Sequence, residues 1–442
     1  MKIPQSPPRL VDLTAGLDPL ELVERVRRSS PTIKGEYLHW DDLRRRKPPR
    51  GESVERWWLG VALNRQSMRR EVPLLDLHDR SFGFAMPDEV LERLHRIDRE
   101  AGGRIELPEP VLGPELRDRY LQSSLIEEAI TSSQLEGAST TRVVAKEMLR
   151  SGRLPRDRSE RMILNNHAAM KYVSEHKDTP LDLAFLLRLH RVVASDTLDD
   201  ASAVGRLRHE RETISVVDHG DGTVLHVPPP AAALPARLEL MCRFANNDVP
   251  GPFVHPLLRA VVLHFWLAYD HPFVDGNGRT ARSLFYWSML RQGYWLTELL
   301  SISRVIKKAP AQYARSFLLT ETDGNDLTYF VLHQLDVVQR AIDELQLYVK
   351  RKVAETREVE RRLRHFEGLN HRQLALIGHA LKHANARYTI AAHRDSHGVV
   401  HQTARTDLLD LVQRGFLEMK KMGRTHVFEP ASELERKLGK LR

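Results

Sequence analysis

Apolar positions recur at helical spacing along most of this chain. Ser53–Met68 predicts a helix with Trp57, Trp58 and Leu59 turned inward, and Pro87–Glu100 predicts another on a Val90, Leu91, Leu94, Ile97 stripe. Pro114–Leu149 reads as helical on Leu116, Tyr120, Leu125, Ile126 and Ile130, with a break at Gly137. Ser159–Glu175 and Leu181–Ser195 follow, the second with Leu186, Leu187 and Leu189 inward. Ala231–Phe244, the apolar run His255–Tyr269, Ser283–Gln292, Ile306–Thr322 and Tyr329–Leu347 complete the helical series, with Asp326 or Thr328 able to cap the last. Between Gly205 and Pro230 the period changes. Thr213–Val217 and Thr223–Val227 are β-branched runs around Asp218-His219-Gly220-Asp221-Gly222, which predicts a hairpin. Met1–Pro49 reads as irregular. Val349–Glu367 is a charged run expected as a solvated linking helix. From Leu369 the pattern resets. One helix is marked by Leu374, Leu376, Ile377 and Leu381, and a second, Val400–Arg414, turns Leu408, Leu409 and Val412 inward. Short strands follow at Phe416–Met419 and His426–Phe428, around Lys420-Lys421-Met422-Gly423-Arg424.

Composition changes this picture little. A chain of 442 residues with 41% hydrophobic content holds about two to four globular domains. The net charge of +8 permits contact with nucleic acid or an acidic partner without demanding it. The single cysteine, Cys242, excludes an internal disulfide and fits a reducing cytoplasm. Prolines and the lack of an apolar core in Met1–Leu10 argue against a signal peptide, and the run before His271 carries Arg259 and His264 and is too short to cross a bilayer. A soluble, cytoplasmic protein with no membrane partner is expected.

The chemistry concentrates in one stretch, His271-Pro272-Phe273-Val274-Asp275-Gly276-Asn277-Gly278-Arg279-Thr280-Ala281-Arg282. It is a loop that opens a helix. Gly276 and Gly278 let backbone N–H groups approach a ligand at the positive end of a helix dipole, a setting for phosphate. Arg279 and Arg282, three apart, supply two guanidinium forks for a polyphosphate. Asp275 is a hard oxygen donor suited to Mg²⁺ beside those phosphates, and His271 titrates near neutrality and suits a general base. Taken singly, the histidine reads as structural and the glycines as a turn. A zinc site from His255, His264, His271 and Asp275 lacks paired-ligand spacing, and His264 reads as a core residue.

The stretch as a whole resembles, without a gap, the signature of the Fic family of protein adenylyltransferases. Upstream, Ser132-Ser133-Gln134-Leu135-Glu136-Gly137 is similar to the inhibitory motif of the Fic class whose inhibitory helix precedes the catalytic motif. The resemblance implies a mainly α fold: a helical Fic domain with a β-hairpin flap at 114–347, after an N-terminal region 1–113 of uncertain role. Beyond that resemblance, the charged run reads as a linking helix, 348–368, and the helices followed by a basic hairpin resemble a winged helix, 369–442. The Fic resemblance carries further expectations. It implies ATP as substrate, Mg²⁺ held by Asp275, and His271 as base. Gly276, Asn277, Gly278, Arg279 and Arg282 would hold the phosphates, and Tyr313 would line the adenosine pocket. Ser132, Glu136 and Gly137 would inhibit by occupying Arg282. Thr213, Ile214, Ser215, Val216 and Val217 of the flap would bind an extended segment of a target protein with a Ser, Thr or Tyr hydroxyl. Open alternatives are another donor, removal of AMP, or a DNA-binding regulator whose Fic domain senses nucleotide, with His401, Gln402, Thr403 and Arg405 on its recognition helix. A homodimer is also left open.

Overall fold

The computed structural model describes all residues except 103–113, 219, 364–367, 383–385, 423–424, 433 and 435–442; for 114–120, 352–353, 355–363, 382, 422 and 425 it describes the backbone alone. The expected roles of Leu116, Tyr120, His219, Arg361, Arg362, Arg364, Gly423 and Arg424 therefore lie outside the described side chains. The chain forms two compact units, Met1–Leu345 and Gln346–Arg442.

Two helices make the centre of the first unit. Pro256–Asp270 is apolar on every side, so it can only be stable when buried all round, and nearly all of it is. Pro256 sits at its first turn, where its missing N–H costs nothing. Asn277–Arg291, packed against it, starts six residues earlier than expected, so Asn277, Gly278, Arg279 and Arg282 occupy its opening turns. Pro114–Leu135, Arg158–Glu175 and Leu183–Ala194 pack against the second of the pair, and Leu234–Ala245 against the first. Ile126, Ala129 and Ile130 of Pro114–Leu135 pack on Ala145, Met148 and Ile163. Asn165 and Asn166 act as buried staples: Asn165 Nδ2 donates to the Val193 and Ser195 carbonyls at 3.3 and 2.5 Å, and Asn166 Nδ2 to that of Ala129 at 3.4 Å.

The N-terminal region belongs to this same unit and is more ordered than its composition suggests. Leu10–Thr14, Pro19–Arg28 and Trp40–Leu43 are helical, against the expectation of irregular chain. Ser53 caps Val54–Ser67, and an unexpected antiparallel hairpin pairs Arg70–Leu75 with Ser81–Phe84. Within the predicted stripes, Leu91 is 48% exposed, and Trp57 and Leu187 are half-buried. The predicted flap is shorter than its β-branched runs: only Val216–Val217 and Val224–His226 pair, with a register shift, so Thr213, Ile214 and Ser215 lie outside the strand. Tyr329–Leu347 and the charged run after it are one helix, Thr328–Leu363.

In the second unit, His371–Lys382, Ile390–His397 and His401–Gln413 precede an antiparallel hairpin of Leu417–Met422 and Thr425–Pro430. Leu376, Ile377, Leu408, Leu411, Phe416 and Phe428 form its core, with Leu409 and Val412 packed beside it. Ile390–His397 was not expected from the apolar pattern, because it buries only His393.

Candidate active site

The apolar Pro256–Asp270 helix ends at His271, whose φ of 45° is left-handed. For a residue with a Cβ this conformation costs of order 1 kcal/mol and persists where the surroundings enforce it. Those surroundings include residues the sequence gave no reason to single out. Arg208 N donates to the Pro272 carbonyl and its Nε to that of His271, both at 2.9 Å, and the guanidinium also reaches the Pro229 carbonyl. Asp270, fully buried, accepts from Arg237 Nε at 2.8 Å and Trp266 Nε1 at 3.0 Å. His190 stacks parallel on Phe273 with centroids 3.7 Å apart. Its Nδ1 accepts from Gly205 N and its Nε2 donates to the Asp275 carbonyl, which fixes a neutral tautomer.

His271 Nδ1 donates to the Ala268 carbonyl at 3.2 Å, which leaves the Nε2 lone pair with no partner among the described residues. Burial pushes the group down from 6.5 to about 4, with the nearby His226 adding to the shift. The ring is therefore a neutral imidazole at physiological pH and can accept a proton.

Gly276, at φ 83°, turns the loop into the helix. Asn277 braces the loop: its Oδ1 accepts from Phe273 N at 3.0 Å and its Nδ2 donates to the Phe273 carbonyl at 2.8 Å. A short loop between two buried helices must satisfy its own backbone, and one hydrogen of this amide does so. Arg279 is wholly buried. One guanidinium nitrogen donates to the Val193 carbonyl at 3.1 Å, while Nε and the other nitrogen have no hydrogen-bond partner among the described residues. Asp275 is 3.8 Å from Arg279 and 3.5 Å from Arg158, a second cation at the mouth that the sequence did not flag.

Arg282 is also buried, and its donors are engaged. Nε donates to Ser132 Oγ at 2.8 Å; one NH2 group donates to the Ser132 carbonyl at 3.0 Å and to Glu136 Oε1 at 2.8 Å. The upstream motif thus meets the downstream one, with the Gly137 turn (φ 92°) ending the Pro114–Leu135 helix so that Glu136 faces the glycines. A Cβ at Gly278 would overlap the Glu136 carboxylate and come within 3.1 Å of the Arg282 guanidinium. The carboxylate occupies the space above the helix start.

Tyr313, expected in an adenosine pocket, lies among the rings of His264, Phe317, Phe330 and His333, and its hydroxyl is 2.9 Å from His264 Nε2. It stays partly exposed there, beside the Arg282 guanidinium. The flap is anchored at His226, whose Nε2 donates to the Tyr269 carbonyl and whose Nδ1 meets the Glu321 carboxylate, both at 2.7 Å. Although burial opposes its charge, Glu321 holds the His226 pKa above the usual value. Among the described residues no helix is long and apolar enough to cross a membrane.

Residues 180–289 match the model of the Fic/DOC family. The chain is 27% identical over 259 residues to a protein named protein adenylyltransferase Fic from Culex quinquefasciatus, and 26% identical over 255 residues to one of the same name from Drosophila melanogaster. Each match covers 57% of this chain and 47% of the relative, so the chain spans about half the length of the curated relatives it matches. A Fic family protein from Desulfovibrio desulfuricans G20 shares its fold, with a TM-score of 0.53, 20% identity, and coverage of 79% of this chain and 98% of that one.

Proposed function

We propose that this chain, which carries a domain of the Fic/DOC family, is a protein adenylyltransferase that moves AMP from ATP to a Ser, Thr or Tyr hydroxyl of a target protein. The observation that carries the reading is Arg279. A buried guanidinium with unmet donors beside a glycine-lined helix start calls for an anion, since leaving those donors unpaired costs about 1–3 kcal/mol each. The target hydroxyl loses its proton to His271 Nε2 while its oxygen attacks the α-phosphorus; the bond to the β-phosphate oxygen breaks and pyrophosphate leaves. Backbone N–H groups from Gly276 to Arg279 face the α-phosphate, and Arg279 and Arg282 hold the β- and γ-phosphates. One exposed carboxylate next to a triphosphate is a donor set that fits Mg²⁺, so Asp275 would hold that ion, which draws charge off the phosphates when bound. Val216 and Val217 of the flap offer a short edge for an extended target segment.

In this reading the chain restrains itself. With Glu136 on Arg282, the γ-phosphate has lost one clamp and meets a like charge, so ATP sits with its α-phosphorus off line. The same carboxylate above the helix start supports a second reading, removal of AMP with Glu136 positioning water. ATP labelled in the α- or the γ-phosphate separates the possibilities in Glu136→Gly protein. Adenylylation leaves only the α-label on protein. Retention of the γ-label, or release of AMP from a pre-modified target by wild type alone, would overturn the assignment.

A further inference from the structure

The chain's net positive charge lies entirely in its second unit. Residues 346–442 hold 20 Lys and Arg against 11 Asp and Glu, where the whole chain holds 67 against 59. The first unit is thus close to neutral, although its active site handles an anion.

The geometry of this unit gives the charge a purpose. Thr389 caps the Ile390–His397 helix, which stops at Gly398 in a left-handed conformation (φ 60°); His401–Gln413 begins three residues after the first helix ends. Two helices joined by a three-residue turn containing glycine form a helix-turn-helix. The second helix is held firmly. Ala404, Leu408 and Leu411 are buried, and buried Asp407 accepts from Arg372 Nε at 2.7 Å, Asn370 Nδ2 at 2.7 Å and His393 Nε2 at 3.2 Å, which ties it to both neighbouring helices. Its opposite face presents His401, Gln402 and Arg405, all exposed, and their side chains make no hydrogen bond or ion pair among the described residues. Several other charges of the unit are neutralised locally: Asp395 pairs with Arg394, Asp410 with Arg414, and Glu429 with Arg387 and Lys420. On the hairpin, Lys421 is exposed and has no ion-pair partner among the described residues.

We propose that the His401–Gln413 helix is a second binding site, separate from the phosphate cup, which takes duplex DNA. Its first two turns enter the major groove, where Gln402 and Arg405 can each form bidentate contacts with base edges, and Lys421 of the hairpin meets backbone phosphate. The occupant is a polyanion with a groove rather than a protein, because the face offers free hydrogen-bonding groups and a cation, while its exposed apolar residue, Val400, stands before the first turn rather than at the centre.

The test uses the full chain, a randomised pool of labelled duplexes and fluorescence anisotropy. Selection from the pool should enrich one sequence, bound less tightly as salt rises. Arg405→Ala should weaken that complex about tenfold and relax the preference at one base pair, and Lys421→Ala should weaken all duplexes alike and lower the salt slope by about one. His271→Ala should change nothing, and circular dichroism should show every variant folded as wild type. No anisotropy change with duplex at low salt, or heparin displacing wild type and Arg405→Ala equally with no sequence enriched, would overturn the proposal.

Discussion

His271 and the flap residue His226 are shifted in opposite senses. His271, lowered to about 4 by burial, is already unprotonated at neutrality, so kcat/KM should stay level on mild acidification and fall only as pH approaches about 4. A base with its ordinary value of 6.5 would already lose half its activity at pH 6.5, and a pH–rate profile of the uninhibited variant separates the two. His190, also lowered to about 4 by burial, shares this sense. For both groups the unfolded chain binds more protons between the two values. Their contribution to stability is full above about 6.5 and is lost as pH falls toward about 4. His226 runs the other way. Its raised pKa stabilises the flap fully below the unfolded value and loses that contribution as pH rises through the folded one, which ring chemical shifts can follow. His271 was legible in the sequence because its neighbours are chemically distinctive. Arg208 and His190 were not, because their roles depend on backbone carbonyls 63 and 85 positions away. The loop-bracing bonds of Asn277 were hidden for the same reason: a motif names an amide but not which loop atoms it will hold.

At the scale of elements, the account depends on how closely one helix end approaches another helix start. Gly278 lies under the Glu136 carboxylate, so any Cβ there fills the cup. In a Glu136→Gly background the cup is open, and adding Gly278→Ala should then weaken ATP binding about tenfold or more with little change in melting temperature, by isothermal titration calorimetry. Unchanged affinity would mean that phosphate sits elsewhere. The central helices were readable from their apolar runs, since continuous hydrophobicity permits only burial. The Arg70–Leu75 strand was not, because Pro73 interrupts it and its burial does not alternate cleanly. Likewise the Ile390–His397 helix is set by a Thr cap and a Gly stop rather than by an apolar face. The flap was overdrawn because β-branched residues show where a strand is tolerated, whereas pairing needs a partner in register.

Across the whole molecule, the N-terminal region is built into the first unit rather than appended to it. Arg65, 5% exposed, donates to the Tyr329 hydroxyl at 2.8 Å and to the carbonyls of Pro31 and Leu38 at 2.9 Å each, and it lies over the Tyr37 ring at 3.6 Å. Arg65→Ala should therefore cost about 3 kcal/mol or more in urea denaturation, by leaving buried acceptors and the Asp323 carboxylate unmatched. No count of charge or apolar content announces such a tie, since its partners lie up to 264 positions apart. The central claim remains that a carboxylate from one helix plugs a phosphate cup at the start of another. Its most direct measure is the rate of label transfer from α-labelled ATP to protein, compared among wild type, Glu136→Gly and Glu136→Gly/His271→Ala. The account predicts that the single variant exceeds wild type about tenfold or more, as expected for freeing one charge-assisted contact, and that the double variant falls at least about a hundredfold below the single. Equal labelling by the single and double variants would contradict it.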